Sequence, residues 1–179
     1  MSTIDSYEEM LSDITVLAHR TVALCSEKHI RISTAESCTG GMISSAITSI
    51  SGSSEAIELG VCAYSNRIKR EVLYVSEQTL SKHTEYSAEC AEEMASGVIK
   101  LGGADYGVST TGVAGPSGGS SEHPVGEVFI AVCAADGKKT SLRCVFPAKT
   151  GKCYTARDYI RTAAAKRALQ LLLDSIEGG

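Results

Sequence analysis

The alternation of apolar and polar positions divides the chain into segments of two periods. Over residues 6–28, Met10, Leu11, Ile14, Leu17, Ala18, Val22 and Cys25 recur at the spacing of a helix with one buried stripe. Ser6, followed three residues later by Glu9, supplies a capping box at its start. IRISTAE (30–36) predicts a strand, MISSAITSI (42–50) a short helix of small residues, and IELGVCAYS (57–65) a second strand. Thr39-Gly40-Gly41 makes a turn between the first two, and SGSS (51–54) breaks the chain again. Asn66 can cap a helix through RIKREVL, Ser76 a short one to about Lys82, and Ser87 a longer one ending at Gly102-Gly103. DYGVSTTG (105–112) predicts a third strand, and EVFIAVCAADGKKTSLRCVF (127–146) a hairpin closed at Asp136-Gly137. CYTARDYIRTAAAKRALQLLLDSI (153–176) predicts a long final helix. Helices and strands alternate early and a hairpin follows, so the pattern implies an α/β layered sandwich on a mixed sheet.

Composition narrows the class. A chain of 179 residues fits one domain and can bury a core without staples. Apolar residues make up 43%, which argues against disorder. A net charge of −4 and a pI of about 5.6 are the reverse of what a nucleic-acid surface requires, whereas a few local cations suffice for a small anion. The cysteines at 25, 38, 62, 90, 133, 144 and 153 are odd in number, form no C-x-x-C pair and sit mostly in apolar runs. They are expected to be reduced core thiols of a cytoplasmic protein. No apolar run reaches the ~18 residues of a membrane span, and the acidic start MSTIDSYEEM resembles neither a secretory signal nor a transit peptide. No His, Cys, Asp or Glu cluster has metal-ligand spacing, so no bound metal is expected.

Chemistry concentrates in three places. In TAESCTGG (34–41), Ser37 stands where a strand hands over to a helix, where α/β proteins tend to bind ligands. It either caps the helix or attacks a substrate beside helix-start N–H groups that hold an oxyanion. Cys38 is a rival nucleophile, since a thiol at a helix N-terminus ionises readily. A serine needs a base, and His19, His29, His83 and His123 stand poorly for a Ser-His-Asp triad, although the loop could carry His123 to a site. YSNRIK (64–69) offers Lys69 instead. The positive end of its helix and the flanking Arg67 and Arg70 would disfavour the ammonium, as a lysine base requires; the alternative is a solvated basic patch. Third, STTGVAGPSGG (109–119) concentrates glycines in a loop whose N–H groups can converge on an anion, and no G-K-[ST] follows to make it a P-loop. Thr110 and Thr111 add hydroxyls. Arg157 and Arg161, four apart on the last helix, share a face from which guanidinium groups can grip a phosphate against the loop.

In this order, TAESCTGG, SGSS, YSNRIK, EMASG, DYGVSTTGVAGPSGG and PVGEVFIAV resemble the CinA carboxy-terminal domain family over about residues 8–175. The resemblance implies that residues 1–179 form one domain, a three-layer α/β/α sandwich with a mixed sheet. It implies a cytoplasmic amidohydrolase, without cofactor or metal, that converts nicotinamide mononucleotide and water to nicotinate mononucleotide and ammonia. The nucleophile matches Ser37, the tyrosine and base match Tyr64 and Lys69, and the phosphate-binding glycines match those of residues 112–119. The implied substrate-binding set is Glu36, Cys38, Thr39, Gly40, Gly41, Thr110, Thr111, Gly112, Gly115, Gly118, Gly119, Arg157 and Arg161. The partner is a small mononucleotide, not a nucleic acid or a membrane, and a homodimer is the assembly that base rate favours. The chain departs from the family in two places. Thr84 and Tyr86 stand where glycine and valine are usual, and PAKTGKCYTA (147–156) lengthens the connection before Arg157. Two other readings stay open: a non-catalytic nucleotide-binding or regulatory module, which needs the loop and arginines but not Ser37 with Lys69, and an amidase for another phosphorylated amide.

Overall fold

The computed structural model describes residues 6–178; residues 1–5 of the acidic amino terminus read above lie outside the described residues. Helix α1 (Tyr7–Lys28) begins at the expected capping box, with the Glu9 carboxylate accepting from Ser6 N at 2.7 Å and Ser6 Oγ accepting from Glu9 N at 3.1 Å. There follow β1 (Ile32–Glu36), α2 (Met42–Thr48), β2 (Ile57–Cys62), α3 (Asn66–Glu71), α4 (Glu77–Lys82), α5 (Ala88–Gly102) and β3 (Tyr106–Gly112). The hairpin β4 (Glu127–Ala134) and β5 (Lys139–Val145) and the final helix α6 (Ala156–Glu177) complete the series. One cap differs from expectation: Ser65, not Asn66, caps α3, its hydroxyl accepting from Ile68 N, and Asn66 is the first helical residue.

The strands form one sheet in the order β2-β1-β3-β4-β5. β2, β1 and β3 run parallel, while β4 and β5 are antiparallel. From β1 the chain crosses through α2 to β2 on one side. From β2 it returns through α3, α4 and α5 to β3, on the other side of β1. Right-handed crossovers in opposite directions place their helices on opposite faces of a sheet, and the core shows that arrangement. On one face, Leu17 and Val22 of α1, Ile43 and Ile47 of α2, and Leu169 and Leu172 of α6 enclose Ile32, Val108 and Ile130 of the strands. On the other face, Met94 and Val98 of α5 meet Ala35, and Ala91 and Ala95 meet Phe129 and Ala131. The result is a three-layer α/β/α sandwich. All five residues of β1 are buried, as a parallel strand covered on both faces should be. Helix α5 approaches β3 so closely that a Cβ at Gly107 would lie 2.2 Å from Ala95 O, so only glycine fits there.

Because the path reverses between β1 and β3, a crevice opens beyond the carboxyl ends of those neighbouring strands. In doubly wound sheets that is where ligands bind. Side-chain alternation then sorts the residues at the strand ends. Glu36 and Thr110 turn toward α2 and its preceding turn. Thr111 turns toward α3.

Candidate active site

The turn after β1 is organised around a buried carboxylate. Glu36 accepts hydrogen bonds from Gly41 N at 2.9 Å, Ile43 N at 3.1 Å and Ser44 N at 2.9 Å, and from the hydroxyls of Thr39 at 2.7 Å and Ser44 at 2.9 Å. Helix-start N–H groups have no intrahelical partner, so Glu36 supplies one from the preceding strand and places its charge at the favourable end of α2. Closing the turn this tightly needs Gly40 and Gly41 at φ +62° and +93°. Ser37 N bonds to Thr110 O at 2.9 Å, which carries the β1–β3 ladder one residue past the strand. From the far side Arg161 donates to Cys38 O at 3.2 Å and Thr39 O at 2.8 Å. Ser37 is thus held by its neighbours' backbone, while its own Oγ has no hydrogen-bond partner among the described residues.

Lys69 is the largest fully buried polar side chain, 2% exposed. Its Nζ donates to Thr111 Oγ1 at 2.9 Å. That hydroxyl donates its own proton to Glu85 O at 2.6 Å, so toward Lys69 it can only accept. The ammonium is disfavoured, and the cause differs from the one the sequence suggested. Burial pushes the Lys69 pKa down, against smaller upward pulls from Cys90, Glu85 and Cys38. The flanking arginines point away: Arg67 pairs with Glu71 and Arg70 faces Glu77, all in solvent. Cys38 is likewise corrected. Burial pushes its thiol up to about 11, so it is not the readily ionised helix-start thiol expected.

The loop after β3 leaves backbone N–H groups without protein partners. Gly112, Gly115 and Gly118 take φ of +157°, +72° and +87°. Its base is pinned by Val113 N to Glu127 O and Gly126 N to Val113 O, both 2.8 Å. Among the described residues, the N–H groups of Ala114, Gly115, Ser117 and Gly118 donate to no protein acceptor. Arg157 reaches this loop from α6, donating to Gly115 O and to Tyr64 Oη at 2.9 Å. The pair Arg157 and Arg161 therefore does not act as one face: Arg157 meets the glycine loop, and Arg161 holds the serine turn. Tyr64, 67% exposed, bonds to Arg157 and not to Lys69.

These parts enclose a polar cavity of about 210 Å³ lined by Ser37, Cys38, Tyr64, Lys69, Gly112, Gly115, Gly118 and Arg157 among the expected residues. Behind the lining stand Glu36, Thr39, Gly40, Gly41, Thr110, Thr111, Gly119 and Arg161. Thr39 and Thr110 share a hydrogen bond at 2.7 Å, and Gly119 is pressed against Val125. The sequence did not single out Glu85, Ser117, Val113 or Ala114, which also line the cavity. Tyr86 and Asn66, which it noted only as a departure and as a cap, do so too. Nothing in the local pattern HTEYS marks Glu85, because a sharp backbone turn at Thr84, φ +66°, presents it. His123 stands beside a carboxylate but does not line the cavity that holds Ser37. Its Nδ1 meets Glu127 Oε2 at 2.7 Å and its Nε2 meets Thr84 Oγ1 at 3.3 Å. The cysteines form no disulfide; Cys25, Cys38, Cys90 and Cys133 are buried, but Cys62 and Cys153 are exposed and so are not core thiols. No group of three or more metal-binding side chains occurs among the described residues, and no described helix is long and apolar enough to cross a membrane.

A family model described as the CinA C-terminal domain matches residues 14–176. The chain belongs to that family. It is 39% identical over 162 residues to the nicotinamide-nucleotide amidohydrolase PncC of Escherichia coli (strain K12), covering 90% of this chain and 93% of that protein. It is 44% identical over 157 residues to a CinA-like protein of Thermotoga sp. (strain RQ2), covering 88% of this chain but 36% of that longer protein. Among solved structures, the competence/damage inducible protein CihA of Agrobacterium tumefaciens superposes with a TM-score of 0.84 at 36% identity, covering 99% of each chain. The competence damage-inducible protein A of Klebsiella pneumoniae gives 0.84 at 30% identity, covering 92% of this chain and 97% of that one. Family and fold thus agree with the crevice geometry.

Proposed function

We propose that this protein is an amidohydrolase that deamidates a pyridine mononucleotide, converting nicotinamide mononucleotide and water to nicotinate mononucleotide and ammonia. The observation that carries the reading is the meeting of Ser37 and Lys69, distant in sequence, in one cavity beside the unpaired N–H groups of the glycine loop. The likeness to an enzyme named for that activity supports it.

In the proposed mechanism the phosphate lies against the N–H groups of residues 114–118 and Arg157, which is released from Tyr64 or shared with it. The exposed Tyr64 ring walls the entrance. The carboxamide carbon reaches Ser37. Neutral Lys69 keeps one N–H on Thr111, which leaves its lone pair for the Ser37 proton. Oγ bonds to the carboxamide carbon as that proton passes to Nζ, and N–H groups following Ser37 stabilise the oxyanion. Lys69 then protonates the amide nitrogen as the C–N bond breaks, releasing ammonia and leaving an ester on Ser37. Water attacks the ester, gives a proton to Lys69, and the proton returns to Oγ as the acid leaves.

The test is ammonia release from nicotinamide mononucleotide by the purified chain and by Ser37→Ala and Lys69→Ala. Wild type should turn over, and each variant should lose at least about 10²-fold in rate. Binding without release would favour a nucleotide-binding module. Release unchanged in Ser37→Ala would overturn the nucleophile assignment.

A further inference from the structure

The cavity carries groups of both signs. Arg157 and the unpaired N–H groups of the glycine loop line it. Lys69 and Glu85 line it too, and each feels the other's charge. The Glu85 backbone is fixed in place. Thr111 Oγ1, the partner of Lys69, donates to Glu85 O at 2.6 Å. On one side Thr84 is locked at φ +66°, with its hydroxyl accepting from Tyr86 N at 3.2 Å and contacting His123 Nε2 at 3.3 Å. On the other, Ser87 Oγ donates to Thr84 O at 3.0 Å. The carboxylate itself makes no salt bridge among the described residues, and Tyr86 is its hydrogen-bond partner. Its field is nonetheless felt by its cavity neighbours: it opposes the loss of charge on Lys69 and, after burial, helps hold Tyr86 in its neutral, proton-donating form.

A carboxylate is out of place in a cavity whose glycine loop offers donors to anions, unless the ligand has two different ends. Deamidation changes one of them. The substrate carries a neutral carboxamide, whose nitrogen donates hydrogen bonds; the product carries a carboxylate, which can only accept. We infer that Glu85 determines specificity for the carboxamide, accepting a hydrogen bond from the amide nitrogen of the substrate and repelling the carboxylate of the product. This inference rests on the amidohydrolase reading. It makes Glu85 the residue that separates the two ligands by charge and speeds release of the acid.

The experiment measures the affinity of nicotinate mononucleotide by calorimetry and by product inhibition at neutral pH, for the wild-type chain, Glu85→Gln and Glu85→Asp. Removing one like charge from a solvent-lined cavity should tighten product binding about tenfold in Glu85→Gln. Glu85→Asp, which keeps the charge, should stay within about twofold of wild type. Both variants keep the backbone bond from Thr111 and a side chain that can still accept from Tyr86, so both are expected to fold. Equal product affinity in wild type and Glu85→Gln, with ammonia still released, would overturn the inference and leave the activity standing. No ammonia release by wild type would overturn both.

Discussion

Replacing Glu36 tests whether a single carboxylate holds the serine turn together. Its two oxygens divide the donors unequally. Oε2 receives Thr39 Oγ1, Gly41 N and Ile43 N, while Oε1 receives Ser44 N and Ser44 Oγ. In Glu36→Ala the hydroxyls retain partners, Thr39 with Thr110 at 2.7 Å and Ser44 with Thr34 at 2.5 Å. The three N–H groups do not. Each unsatisfied donor costs about 1–3 kcal/mol, water can reach the half-buried Gly41 and Ser44, and removing the buried charge returns part of its desolvation cost. The expected net loss is about 3–5 kcal/mol. Glu36→Gln can keep its oxygen at the Oε2 position and turn its NH2 toward Ser44. Ser44 Oγ can then accept, and only Ser44 N is stranded, for a loss of about 1–3 kcal/mol. Urea unfolding should show two lowered midpoints, with alanine the lower and the slope m unchanged. Because the same turn carries Ser37, Glu36→Gln should lower kcat more than it raises KM. Equal midpoints for the two variants, or a loss below about 1 kcal/mol in Glu36→Ala, would refute the idea that these hydrogen bonds hold the turn.

Other outcomes follow from the same geometry. Burial lowers the Lys69 pKa, so between that lowered value and the ordinary lysine pKa of about 10.4 the unfolded chain binds more protons than the folded one. Stability should therefore rise with pH through that window. Lys69→Met should be more stable than wild type at neutral pH and lose that advantage as pH approaches the ordinary lysine range; a constant gap in urea midpoints would contradict the cause assigned. Turnover should likewise fall on acidification through the lowered pKa, and a flat profile from mildly acid to mildly alkaline pH would argue against Lys69 as the base. Arg161 and Arg157 should separate kinetically. Arg161→Ala, which strips donors from Cys38 O and Thr39 O, should lower kcat, whereas Arg157→Ala, which faces the glycine loop, should mainly raise KM for the nucleotide; identical kinetic profiles would refute the division. Alkylation of the native protein at neutral pH should label Cys62 and Cys153 and spare Cys25, Cys38, Cys90 and Cys133, as peptide mapping would show; rapid labelling of Cys38 would show that its thiol is not held up by burial.

Local signals carried the fold. Apolar spacing in α1 and α6, and serines followed by donors at the starts of α4 and α5, are decided within a turn or two of helix, and such features survive in any tertiary setting. The errors fell where two neighbouring residues compete for one role. Ser65 and Asn66 both cap well, and the end of β2 decides between them by where it releases the chain. Two of the expected core cysteines, Cys62 and Cys153, failed for a related reason. Cys62 ends an edge strand whose side chains alternate between partial cover and solvent, and Cys153 lies in the connection before α6.

The site was legible as residue types but not as roles, because roles depend on which side of a strand end a side chain takes. Glu36 and Ser37 are adjacent, as are Thr110 and Thr111, and the sequence offered Ser37 as the nucleophile and the other three as binding groups. Pleating sends one of each pair to the α2 side, where Glu36, Thr39 and Thr110 form a closed network. It sends the other to the α3 side, where Thr111 meets Lys69 and Ser37 meets the cavity. A one-residue slip in the β1–β3 register would exchange them. That register also explains why Lys69 is perturbed by burial and not by its arginine neighbours. The position opposite Thr111 is under α3, away from solvent, while Arg67 and Arg70 fall on the outer face of the same short helix. The pairing of Glu36 with Thr110 across the two strands is therefore the structural condition for any joint chemistry of Ser37 and Lys69.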